Sequence, residues 1–170
     1  MPDRLQERGA MIIRQSKRSL TRVAVVAGLM AAMVGGLPSA ANADIMPSGC
    51  SDGYQVGATT TINLNGVTAA SIKQYWSPSC QKNWGYIYVW QQFIDSLSGT
   101  NKSWSFSVAI LKQNGTKLGS VNGSAPAREK FSTPQSTAGI CTAAWGKLSV
   151  TGVKGVVLDS SSGNTSYRCG

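Results

Sequence analysis

Residues 103–121 read Ser103-Trp104-Ser105-Phe106-Ser107-Val108-Ala109-Ile110-Leu111-Lys112-Gln113-Asn114-Gly115-Thr116-Lys117-Leu118-Gly119-Ser120-Val121. Trp104, Phe106, Val108 and Ile110 fall on alternate positions, with Ser103, Ser105 and Ser107 interleaved. Successive side chains of an extended chain point to opposite faces, so this pattern makes a half-buried strand, apolar on one side and hydroxylated on the other. Asn114-Gly115 then supplies the residues that tolerate a tight hairpin turn, and Thr116–Val121 is the returning strand.

Working outward, the same alternation of short β-type runs and turn clusters recurs. Thr59–Leu64 stops at Asn65-Gly66, and Ala70–Trp76 stops at Ser77-Pro78. Trp84–Phe93 is the longest run, and Ala143–Val150, Gly155–Asp159 and Thr165–Cys169 close the chain. The stretch Asn122–Gly139, with Pro126 and Pro134, reads as one long turn-rich connection. No helix of ordinary length is expected. Runs this short and closely spaced imply an all-β fold, a small antiparallel sandwich or barrel.

The front of the chain has a different character. Arg14, Lys17, Arg18 and Arg22 precede an uncharged run from Val23 to Leu37, and Ala41-Asn42-Ala43 follows. Basic residues, a short apolar segment and small residues at the exit are the parts of a secretion signal peptide. The run is shorter than the roughly 20 residues a membrane-crossing helix needs. Residues 1–43 are therefore expected to be removed after Ala43, leaving residues 44–170 as a single extracellular β domain with no membrane attachment. That portion holds ten Lys and Arg against five Asp and Glu, a net charge of +5. Such a charge suits weak attraction to anionic surfaces, whereas the scattered placement of the cations speaks against nucleic acid as a partner.

Cys50, Cys80, Cys141 and Cys169 all lie in the exported portion. An even count in an oxidising compartment reads as two disulfides, for which three connectivities exist. Cys50–Cys80 with Cys141–Cys169 is preferred, because each closes a local loop. The chain has no histidine and no Cys-x-x-Cys pair, so neither a metal site nor a cofactor is expected. Histidine-dependent nucleophilic catalysis is excluded by the same absence. The acids Asp44, Asp52, Asp95, Glu129 and Asp159 read as solvated turn residues, and no catalytic residue is assigned.

Trp84, Tyr86, Tyr88 and Trp90 occupy alternate positions, with Ile87 and Val89 between them. An extended strand would line one face with all four rings. If the aliphatic face is the one turned inward, the aromatic face is free to stack on sugar rings. Core packing of the four rings is the preferred alternative, since a small β domain needs large buried side chains. Arg128 and Lys130 lie in the long connection and would be the specificity residues of an exposed loop if the protein were an inhibitor.

The segment Ser71-Ile72-Lys73-Gln74-Tyr75-Trp76-Ser77-Pro78-Ser79-Cys80-Gln81-Lys82-Asn83-Trp84-Gly85-Tyr86-Ile87 resembles the core of the YjfA-like bacterial secreted domains. The likeness consists of a strand, an aromatic-Ser-Pro-x-Cys turn and a tryptophan four residues after the cysteine. It covers about 40 of the 170 residues, and nothing beyond about residue 93 belongs to it. The resemblance implies an extracellular location, pairing of Cys50 with Cys80, and a Trp84 that packs over that bridge. It implies no activity. The leading expectation is a non-enzymatic binding or structural module associated with a cell-wall polymer or another polysaccharide. An inhibitor or toxin-type effector acting on another secreted protein is the alternative, and an enzyme ranks third.

Overall fold

In the computed structural model, which describes residue 47 and residues 49–169, the chain forms short antiparallel strands in the order β1 (Tyr54–Gln55), β2 (Thr60–Leu64), β3 (Val67–Ser77) and β4 (Lys82–Val89). A helix, α1 (Gln91–Leu97), follows, and then β5 (Ser103–Lys112), β6 (Lys117–Ser124), β7 (Glu129–Phe131), β8 (Gln135–Ser136), β9 (Thr142–Thr151) and β10 (Val157–Asn164). The expected signal peptide, residues 1–43, lies outside the described residues. No helix among the described residues is long and apolar enough to cross a membrane.

Two sheets result. The eleven-residue β3 is the spine of the first: β2 pairs its first half and β1 pairs Tyr75 and Trp76 near its end. On its other side lies β4, which in turn is edged by β7 and β8. The second sheet runs β10-β9-β5-β6. The stretch 103–121 forms the antiparallel β5–β6 hairpin of this sheet, as the Asn114-Gly115 signal predicts, with Gly115 at φ +83°.

Register decides which side chains meet. Ala70 faces Val89 and Ile72 faces Ile87 across the β3–β4 ladder, so these aliphatic residues share a face. Trp104, Phe106, Val108 and Ile110 face Val150, Leu148, Gly146 and Ala144 across β5–β9. The two apolar faces pack together into the main core, completed by Phe93 and Leu97 of α1. Gly146 keeps the layers close, since a Cβ there would stand 2.9 Å from Ile72. The sheets approach at both edges, where Thr60 Oγ1 donates to Asn164 O (3.2 Å) and Thr133 N to Gly119 O (2.9 Å). The architecture is a sandwich with no closed barrel.

Both disulfides have the preferred connectivity, Cys50–Cys80 and Cys141–Cys169. The first anchors the segment before β1 to the β3–β4 turn. Asp52 is built into the same corner: its carboxylate accepts from Ser77 Oγ, from Ser79 N (2.8 Å) and from Ser79 Oγ (2.7 Å). These donors favour the charged form and hold the carboxyl at about 2, below its ordinary 3.8. With a depressed folded pKa, the stabilisation is present above the unfolded value and is lost as pH falls through the folded one. Unfolding midpoints should therefore decline as pH drops from about 4 toward 2, and Asp52→Asn should remove that step.

Three expectations need correction. The run Trp84–Phe93 is not one strand: β4 stops at Val89 and Gln91–Leu97 coils into α1. Phe93 and Leu97, four apart, share the helix face that the main core buries. The stretch 122–139 is not one loop, because it holds the end of β6 and all of β7 and β8. Finally, the last strand runs to Asn164, whereas Thr165–Cys169 contributes only the isolated bridge between Thr142 and Arg168.

Candidate functional site

The face of β4 turned away from the sandwich carries Trp84, Tyr86 and Tyr88, opposite Tyr75, Lys73 and Ser71 of β3. The aliphatic residues do point inward, yet the aromatic face is not free along its whole length. Trp84 is fully buried and lies parallel to Tyr75, with ring centroids 6.1 Å apart and 6° between planes. Cys50 and Cys80 pack on the same cluster. Tyr86 stands edge-on to Tyr75 (6.4 Å, 90°) and stacks on Phe131 of β7 (4.9 Å, 29°). Its hydroxyl donates to Glu129, and burial together with that carboxylate pushes the phenol well above its ordinary pKa. This half is a second, smaller core, set on the outside of the first sheet and closed by a disulfide.

The other half behaves differently. Tyr88 is half-buried, and Trp90 is 42 % exposed. Trp90 N makes the last ladder bond, to Ala69 O (2.9 Å), before the chain turns into α1. The indole is held in place: Nε1 donates to Ser71 Oγ (2.8 Å), and Tyr88 meets the ring edge-on (5.2 Å, 80°). The indole N–H is thus satisfied by the protein, while the ring is left partly in solvent. Gln91 and Gln92 are exposed beside it at the start of α1. A fixed, partly exposed ring suits an uncharged polyhydroxylated ligand whose C–H face stacks on it; beside it the Gln91 amide is engaged at both ends, by Arg128 and Asp95, and Gln92 Nε2 donates to Thr68 O (2.9 Å).

Arg128 frames this platform from the side. Its Nη2 donates to Tyr88 Oη (2.6 Å), Nη1 to Gln91 Oε1 (2.8 Å) and Nε to Val89 O (3.4 Å), with the guanidinium 5.1 Å from the Tyr88 ring centre. The exposed-loop reading of Arg128 and Lys130 is corrected here. Arg128 ends the short connection 125–128 and is folded back on β4, and Lys130 lies within β7, paired opposite Ile87. A bait residue needs its head group projecting into the partner, and the donors of Arg128 are spent internally.

The acids do not converge on one element. Asp95 lies on α1 and accepts from Gln91 Nε2 (2.7 Å), Glu129 binds Tyr86, and Asp159 sits on β10 of the other sheet. No group of three His, Cys, Asp or Glu residues among the described ones is placed to hold a metal ion. The alternation of rings marked the aromatic strip, but Ser71 and Arg128, which fix its exposed end, carried no local signal because their partners are remote in sequence. No family model, no curated protein and no solved structure matches the chain.

Proposed function

We propose that the protein works outside the cell as a non-catalytic binding module, holding a cell-wall polymer or related polysaccharide against the Tyr88–Trp90 platform. The observation that carries this reading is the treatment of Trp90: a 42 % exposed indole, pinned by Ser71 and Tyr88 when burial was available to its neighbours on the strip. Fixing a ring before binding removes the ordering cost that a mobile one would pay on contact. Two disulfides support an oxidising location. The likeness of residues 71–87 to the YjfA-like domains supports the same address, and the positive charge favours an anionic wall.

Retention on insoluble peptidoglycan, chitin and cellulose tests the reading. The wild-type protein should be held by at least one of the three. Trp90→Ala should weaken that retention at least about tenfold, as the loss of an aromatic anchor does, while the domain stays folded with its stability lowered by about 1–2 kcal/mol through loss of the Ser71 bond and the Tyr88 contact. Equal retention of the variant, or no retention of the wild type on any of the three, contradicts the proposal.

A further inference from the structure

A second concavity lies toward the opposite end of the first sheet. Tyr54 of β1 faces Trp76 of β3, and Trp76 faces Asn83 of β4, so the three form one row across three strands. Thr137 and Arg168 close the row into a pocket with a volume of about 150 Å³. A cavity of roughly this size admits one six-membered ring.

Its polar wall is fixed from behind. Asn83, only 6 % exposed, donates both amide protons inward, to Thr137 Oγ1 (2.8 Å) and Thr142 Oγ1 (2.9 Å). Thr142 Oγ1 also accepts from Gln74 Nε2 (3.0 Å), and Gln74 Oε1 accepts from Thr165 Oγ1 (3.3 Å). This buried chain leaves Asn83 Oδ1 as an acceptor with no hydrogen-bond partner among the described residues, on a side chain that lines the pocket. With its amide nitrogen engaged by two threonine hydroxyls, Asn83 keeps its oxygen available to a donor on a side chain that lines the pocket.

The rim adds charge. The Arg168 guanidinium lies over Gly57, where a Cβ would stand 2.9 Å from Nε. It makes no side-chain hydrogen bond with another described residue, and no carboxylate among the described residues lines the pocket. Tyr54 is 52 % exposed, with Trp76 half-buried beside it.

We propose that this pocket binds a single acidic sugar unit. Its ring lies against Tyr54 and Trp76, a hydroxyl donates to Asn83 Oδ1, and its carboxylate pairs with Arg168, whose planar fork matches that group. The pocket's size selects one ring, such as a chain end or a branch. This goes beyond the platform reading, because it involves different residues and a charged ligand and stands or falls without Trp90.

Titration of the purified protein, disulfides intact, with glucuronate tests it by amide chemical shifts in NMR, with glucose and acetate as controls. Saturable binding of glucuronate is expected, at least tenfold tighter than either control. Arg168→Ala should reduce glucuronate affinity about tenfold, and Tyr54→Ala should weaken glucuronate and glucose alike. Lys102→Ala, which removes an exposed cation outside both the pocket and the platform, should leave all three unchanged. Acetate or glucose binding as tightly as glucuronate, no saturable binding, or an Arg168→Ala variant equal to wild type would each overturn the assignment. Loss of glucuronate binding in Trp90→Ala would also overturn it, by moving the site to the platform.

Discussion

Replacing all four cysteines with serine should leave the domain unfolded at 37 °C. The bridges span sequence separations of 30 and 28 residues. Each removes about 3–4 kcal/mol of chain entropy from the unfolded state in the loop-closure model. Their joint loss, about 7 kcal/mol, is comparable with the whole net stability of a small domain. Circular dichroism in the near ultraviolet should show the loss of fixed aromatic packing, and urea titration should show no cooperative transition. The single-bridge variants separate two contributions. Loop length predicts nearly equal losses, but Cys50 and Cys80 also pack on the Trp84–Tyr75–Tyr86 cluster, whereas Cys169 is exposed. Loss of Cys50–Cys80 should therefore lower the urea midpoint further than loss of Cys141–Cys169.

Trp84→Ala should cost about 3–5 kcal/mol, the loss expected for deleting a fully buried large aromatic. The residue stacks on Tyr75 and supports the disulfide, so little nearby can collapse into the space. Its Nε1 is buried with no hydrogen-bond partner among the described residues. Trp84→Phe should accordingly be milder than its volume change suggests, because it removes an unpaired polar group along with the lost contacts. Trp90→Ala, six residues on and of the same parity, should cost less, about 1–2 kcal/mol, through the lost bond to buried Ser71 and the lost contact with Tyr88. Chemical denaturation of the variants beside wild type checks the contrast: Trp84→Ala should be the least stable, with Trp84→Phe above it and Trp90→Ala well above Trp84→Ala.

That contrast shows where the sequence is readable. Features encoded within a few neighbours were legible: the alternation 104–110, the Asn114-Gly115 turn and the local cysteine spacing all correspond to observed structure. The edge strand β10 was only half visible, since Ser160–Asn164 has no apolar alternation and owes its place to pairing with β9. Helix α1 escaped because seven residues are too few to establish a period, and its burial depends on a core assembled elsewhere. The division of the aromatic strip was invisible for a related reason. Trp84 and Trp90 share a strand pattern, and only remote partners distinguish them: Cys50 and Tyr75 over one, Ser71 beside the other. The pocket draws on Tyr54, Trp76, Asn83, Thr137 and Arg168, which no window along the chain contains together.

Oxidative footprinting of the individual tryptophans, read by mass spectrometry with and without the retaining polysaccharide, probes the two-part aromatic strip most directly. Trp90 should react quickly in the free protein and be protected when the polymer is bound, while Trp84 stays unreactive in both until Cys50–Cys80 is reduced. Equal reactivity of Trp84 and Trp90 in the oxidised free protein, or a Trp90 whose reactivity ignores bound polymer, would contradict it.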